Sequence, residues 1–209
     1  MPDTRVSLWR RWAGAGALAG AIVLWAGCTT PAARPGALPV SPKLNPFVYY
    51  EDGRVLFIAV DGRAAQYQKH EPVFPLGIAL ANQSAGPLTF ARESFTLETE
   101  TGQQYPTIGH REFLETYHRS RRDVRLADAF QDILFARFQN LYAPVAWRLF
   151  PFSGETSAVQ ERVELGRRQL TWGYLYFPVP PEGIHRKRFT LLVRPVNHPE
   201  TYVVRFALR

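Results

Sequence analysis

The chain has 209 residues, 46% of them hydrophobic and 21% charged, with a formal net charge of +7. That balance excludes a disordered or collagen-like polymer and leaves room for one sizeable domain or two small ones. The single Cys, Cys28, excludes an intramolecular disulfide and any multi-thiolate metal or redox site.

Residues 1–12 carry Arg5, Arg10 and Arg11 against one acid, Asp3, and the stretch from Ala13 to Leu24 is uncharged. A basic start followed by a short apolar run is the pattern of a signal peptide. The run falls short of the roughly 20 apolar residues that a bilayer span needs. It closes on Leu24-Trp25-Ala26-Gly27-Cys28, which resembles the lipobox of bacterial lipoproteins, with Trp25 in place of the usual aliphatic residue. The resemblance implies cleavage before Cys28 and acyl chains, palmitate among them, on that residue. Several chains on one residue anchor stably, because each buried methylene contributes about 0.8 kcal/mol. An uncleaved N-terminal anchor and an ordinary signal peptide with a chance Cys are the competing readings. In the Gram-negative sorting rule an Asp after the Cys retains a lipoprotein in the inner membrane. Thr29 stands there instead, which implies the outer membrane, facing the periplasm.

Pro31, Pro35, Pro39, Pro42 and Pro46 punctuate the next segment. Proline fixes φ and removes a donor, so an extended tether is expected. The organisation is thus a signal peptide at 1–27, a lipidated Cys and Pro-rich tether at 28–46, and one domain at 47–209.

In that domain, Phe47 to Tyr50 and Val55 to Val60 flank Asp52-Gly53, read as a hairpin with positive φ at the glycine. Val73 to Asn82 is a strand, followed by a Ser84-to-Pro87 turn. Leu88 to Phe90 and Phe95 to Glu100 follow, the latter alternating with period two. His110 to Tyr117 reads as a short helix and Asp123 to Tyr142 as a longer one. Ala127, Phe130, Leu134, Phe138 and Leu141 form the apolar face of the longer helix, Asp123 is its N-cap or first-turn acid, and Pro144 its stop. Leu170 to Phe177, Arg188 to Arg194 and Tyr202 to Leu208 return to strand. Short strands with regular turns argue a mainly β sandwich, here with a helical insertion at about 110–147.

Three stretches resemble the immunoglobulin-like antiparallel β-sandwich domains of bacterial envelope lipoproteins. They are Leu80-Ala81-Asn82-Gln83-Ser84-Ala85-Gly86-Pro87-Leu88, the segment from Phe95 to Tyr105, and Gly173-Tyr174-Leu175-Tyr176-Phe177-Pro178-Val179-Pro180. The resemblance implies a sandwich fold and brings no catalytic residues with it. Fold alone does not supply function.

No Gly-x-Ser-x-Gly elbow and no phosphate-binding glycine loop occurs. The expectation is a noncatalytic protein with no cofactor and no metal. Glu115 and His118 stand three apart, a metal-ligand spacing on a helix, and a metal-dependent hydrolase built on them is an alternative. Asp128 and Asp132 are expected to project from one helix face to solvent. Export turns the basic clusters away from nucleic acid, toward lipid headgroups and wall polymers. The expected partners are the membrane, through the lipid, and another envelope protein. Arg121, Arg122, Arg125 and Phe135 are the candidate contact residues, since Arg and aromatics are enriched in interface cores. A periplasmic carrier of a small apolar ligand or lipid, held between helix and sheet, is the other alternative.

Overall fold

The computed structural model describes residues 39–209, apart from 68–69, 119, 139–140, 148 and 151–158 and the side chains of 120, 121 and 124. The signal-peptide segment 1–27, Cys28 and Thr29 therefore lie outside the described residues.

Strands β1 (Val48–Asp52), β2 (Leu56–Asp61) and β3 (Val73–Asn82) form an antiparallel meander. Strand β9 (Gln169–Pro178) pairs antiparallel with β3, and the two-residue β7 (Ala143–Pro144) lies parallel to β9 at the edge. A second sheet has the order β11 (Tyr202–Ala207), β10 (Arg188–Val193), β5 (Phe95–Thr99), β6 (Gln104–Pro106). Strands β4 (Leu88–Ala91) and β8 (Arg162–Leu165) pair as a separate ribbon. Between β6 and β7 come α1 (His110–Thr116) and α2 (Ser120–Phe138). The fold is mainly β, a sandwich with a helical insertion, as the sequence implies.

Two buried clusters explain the layering. Ile58, Val60, Leu76, Ile78 and Leu80 of the first sheet pack against Phe95, Leu97, Phe189, Leu191, Val204 and Phe206 of the second. Phe57, Ala59, Ala79, Ala81 and Leu170, on the opposite face of the first sheet, pack under Phe130, Leu134 and Phe138 of α2. Strand β3 is covered on both faces, so all ten of its residues are buried. That is why Val-Phe-Pro-Leu-Gly-Ile-Ala-Leu-Ala-Asn shows no alternation: a strand sandwiched on both sides needs none.

The chain departs from the sequence reading at several points. The hairpin turn spans 53–55, and Gly53, whose amide donates to Leu56 O at 3.2 Å, does not adopt a positive φ. Strand β1 runs through Asp52 and β2 starts only at Leu56, which leaves a three-residue loop, longer than the two-residue form that requires one. Helix α2 starts three residues earlier than expected and ends at Phe138, six residues ahead of Pro144. Leu141 therefore leaves the apolar face and is 69% exposed. Asp123 lies in the first turn of α2, as expected, yet it does not cap: it is buried. Asp128 and Asp132 are exposed on α2, as expected.

Candidate functional site

Helix α2 lies on a trough of small residues. The register puts Ala59 opposite Ala79, Asp61 opposite Gly77, and Gly77 opposite Tyr174. A Cβ at Gly77 would sit 3.0 Å from Asp61 Cβ and 3.4 Å from Phe130 Cδ1. Phe130 thus occupies the volume that a side chain at 77 would fill, and Asp61 beside it is 1% exposed. Phe57 meets Phe138 edge-on at 4.8 Å, and Phe138 meets Tyr142 at the same distance. These T-shaped contacts set the ring edges on the ring faces, as their quadrupoles favour.

Two carboxyl groups lie buried in this part of the fold. Asp61 accepts from the Arg63 amide at 2.8 Å, and the Arg63 guanidinium stands 3.3 Å from its other oxygen. Burial outweighs both contacts and pushes the Asp61 carboxyl up to about 6. Asp123 is 2% exposed. Tyr117, just after α1, donates to its Oδ1 at 3.1 Å, and Tyr176 of β9 donates to its Oδ2 at 2.9 Å. Desolvation again dominates over these hydrogen bonds and lifts the Asp123 carboxyl to about 6. The two hydroxyls, buried beside that carboxyl, are held well above the ordinary phenol range. Phe113 of α1 packs on Tyr176 with ring centroids 4.4 Å apart. The arrangement fastens α1 and α2 to β9 through one buried carboxyl.

The segment after α2 is stitched along β9. Ala143 N donates to Arg168 O and Val145 N to Leu170 O, and the Thr171 hydroxyl donates to Val145 O. Trp147 Nε1 donates to Tyr174 O at 3.1 Å, and the indole lies directly on Gly173. The buried Phe150 then packs on Phe113 and Tyr176.

The candidate contact residues distribute along α2. Arg122 and Arg125 are exposed in its first half, with the Arg122 guanidinium 3.9 Å from the Tyr67 ring centroid. Phe135 is 38% exposed, off the buried face as expected, and meets Trp172 edge-on at 5.4 Å. Ten residues separate Arg125 from Phe135, about 15 Å along the helix axis. The side chain of Arg121 lies outside the described set. Helix α1 ends at Thr116, so Glu115 and His118 do not share a helix face. Glu115 instead accepts from Arg111 at 3.1 Å. Among the described residues, no three His, Cys, Asp or Glu converge as metal ligands.

Sequence context marks Asp123 only as a helix-start acid and does not mark Asp61. Asp61 follows an apolar strand and precedes Gly62, which reads as a turn. The available signal was the spacing of Ala59, Gly77, Ala79 and Ala81, small residues at period two that mark where a helix presses on a sheet.

No known protein family matches the chain, and no curated protein matches it. Two solved structures from Bacillus subtilis are similar. One is the ycdA protein, described as a candidate lipoprotein, at 11% identity and a TM-score of 0.40, over 76% of this chain. This chain spans 38% of the length of ycdA. The other is the yjhA protein, at 11% identity and a TM-score of 0.40, over 77% of this chain and 96% of its own.

Proposed function

We propose that the chain is a noncatalytic, lipid-anchored protein of the bacterial envelope whose domain binds or scaffolds another envelope component. The observation that carries this reading is Leu24-Trp25-Ala26-Gly27-Cys28, closing a short apolar run behind a basic start and holding the only Cys. The immunoglobulin-like class of lipoprotein domain, implied by Leu80 to Leu88, Phe95 to Tyr105 and Gly173 to Pro180, and the outer-membrane address, implied by Thr29, belong to the same reading. No helix of the described residues is long and apolar enough to cross a bilayer. The contact surface is the outward side of α2, where Arg122, Arg125 and Phe135 are exposed.

The test is metabolic labelling with an alkyne-tagged fatty acid in cells that make the chain or its Cys28→Ser variant. Label on the unaltered chain and none on the variant supports the anchor. Equal label on both, or none on either, contradicts it. A photo-crosslinking residue at Phe135 or Arg125 tests the surface in the same cells. A defined adduct from α2, absent when the residue replaces exposed Glu182, supports it. Identical adducts from all three positions contradict it.

A further inference from the structure

One end of the sandwich combines the incoming chain, three basic turn residues and an exposed leucine. Leu44 N donates to Val48 O, Tyr50 N donates to Pro42 O, and the Ser41 hydroxyl reaches Glu51 at 2.6 Å. Traced backwards, the chain leaves the domain alongside β1, toward Asp52.

The turns at 53–55, 83–87 and 166–168 share that end. Gln83 N donates to Val55 O, and Arg168 N donates to Asn82 O. The buried Asn82 amide donates to Gly86 O at 2.8 Å and to Leu165 O at 2.7 Å, tying the second turn to the third. Arg54, Arg167 and Arg168 are exposed on these turns. None of the three forms an ion pair among the described residues. Asp52, two residues before Arg54, is already shared between Arg137 at 3.0 Å and Gln83 at 2.8 Å. Leu141 N donates to Phe138 O, which holds its exposed side chain just past α2, and Ala143 N binds Arg168 O beside it. Val40, on the incoming chain, is exposed as well.

We propose that this end of the sandwich docks on an anionic lipid bilayer, with Arg54, Arg167 and Arg168 on headgroup phosphates and Leu141 in the interfacial layer. The proposal rests on acylation of Cys28. The residues between Cys28 and Pro39 extend by at most about 40 Å, so a bilayer that holds Cys28 is always within reach. Tethering also makes the docking intramolecular, which raises its effective concentration. Charge complementarity supplies the attraction, since each Arg near an anionic surface favours the bound state about fivefold. A bare leucine among arginines suits a headgroup layer, where the apolar tip enters and the guanidinium groups stay wet. Helix α2 ends near this surface, with Arg137 on Asp52 and Phe138 on Phe57. Its other end, with Arg122, is then held roughly 20 Å away, clear of the lipid.

The experiment uses the mature, acylated protein reconstituted on vesicles. Its only native thiol is consumed by lipid, so L141C takes an environment-sensitive dye at one place. L114C, on α1 and 58% exposed, is the control position. On phosphatidylcholine vesicles containing phosphatidylglycerol, the dye at 141 shifts to the blue and loses at least half its quenching by aqueous iodide. The shift disappears at high salt, and in the combined variant Arg54→Gln, Arg167→Gln, Arg168→Asn. Asn suits position 168, where φ is 54°. The dye at 114 stays open to iodide throughout. Equal quenching at 141 with and without phosphatidylglycerol overturns the docking, as does shielding at 114 instead. Salt reversal is read on the protein with its arginines intact, so a misfolded variant does not decide the matter. A chain that floats with both kinds of vesicle yet leaves position 141 open loses the docking and keeps the anchor. A chain with no acyl mass on Cys28 loses both.

Discussion

The hydroxyl of Tyr176 donates to Oδ2 of Asp123 across 2.9 Å, joining strand β9 to the first turn of α2. Tyr117 completes the clamp from the other side at 3.1 Å, so one carboxyl ties a strand and two helices. Burial raises the Asp123 carboxyl to about 6 in the folded chain, against 3.8 for an unperturbed Asp. The folded state therefore holds this proton more tightly than the unfolded state does. Its contribution to stability is full below about pH 4, falls as pH rises toward 6, and is flat above. Asp61 acts in the same direction. Urea midpoints measured at pH 5 and pH 7.5 should show this part of stability larger at pH 5. The isosteric Asp123→Asn variant should reduce the difference to the part that Asp61 supplies, because its amide has no proton to lose. A variant with the full wild-type slope would assign the slope to other groups.

The contact of Trp147 with Gly173 predicts an unusually sharp substitution effect. A Cβ at position 173 would fall inside the indole, 2.7 Å from Nε1 and nearer still to the ring carbons. Gly173→Ala should cost on the order of 2–3 kcal/mol through overpacking. Trp147→Ala opens a cavity and should cost about 3–5 kcal/mol. The double variant should be less destabilised than the sum, because the added methyl enters space the indole has vacated. Chemical denaturation of the four proteins measures the coupling, and simple additivity would show that the two residues act independently.

Leu134 and Phe135 are neighbours in sequence with opposite fates. Leu134 is fully buried between α2 and the sheet, and Phe135 is only half-covered by Trp172. Leu134→Ala should cost about 2–5 kcal/mol, and Phe135→Ala on the order of 1 kcal/mol. Thermal melts of both variants check the rotation of the helix on the sheet. Equal losses would mean that α2 is turned differently on its axis.

Asn82 is a buried amide with every polar atom committed. Its nitrogen donates to Gly86 O and Leu165 O, and its oxygen accepts from the amide and hydroxyl of Ser84. Asn82→Ala takes the side-chain donor from Leu165 O and the acceptor from the Ser84 amide, while Gly86 O keeps the Ser84 hydroxyl at 2.8 Å, and should cost roughly 1–3 kcal/mol. Hydrogen exchange should also rise in the turns at 83–87 and 166–168, which the amide holds together. Exchange unchanged in the second turn would show that backbone pairing alone positions it.

The strands could be read almost residue by residue, because turns and apolar runs alternate on a short local period. Val73 to Asn82 was found at both ends, although its double-sided burial removes the alternation that usually marks a strand. Longer-range facts were hidden. Leu141 continues the helical spacing of Phe130, Leu134 and Phe138, yet the helix stops before it. Asp123 carries the composition of a helix start, and only the approach of Tyr117 and Tyr176 from elements 6 and 53 residues away turns it inward. Arg122, Arg125 and Phe135 share one helix, and sequence spacing alone left open whether they share one surface. Arg54 lies more than a hundred residues from Arg167 and Arg168, and the pairing of β2, β3 and β9 brings their turns to one end.

The central claim is that Cys28 carries lipid, and the intact mass of the mature protein extracted from membranes tests it most directly. The expected product is a chain that begins at Cys28, heavier than its residues by a diacylglyceryl group with or without a further acyl chain. A mass equal to the unmodified chain from Met1, or an unmodified Cys28 in its peptide map, would contradict it.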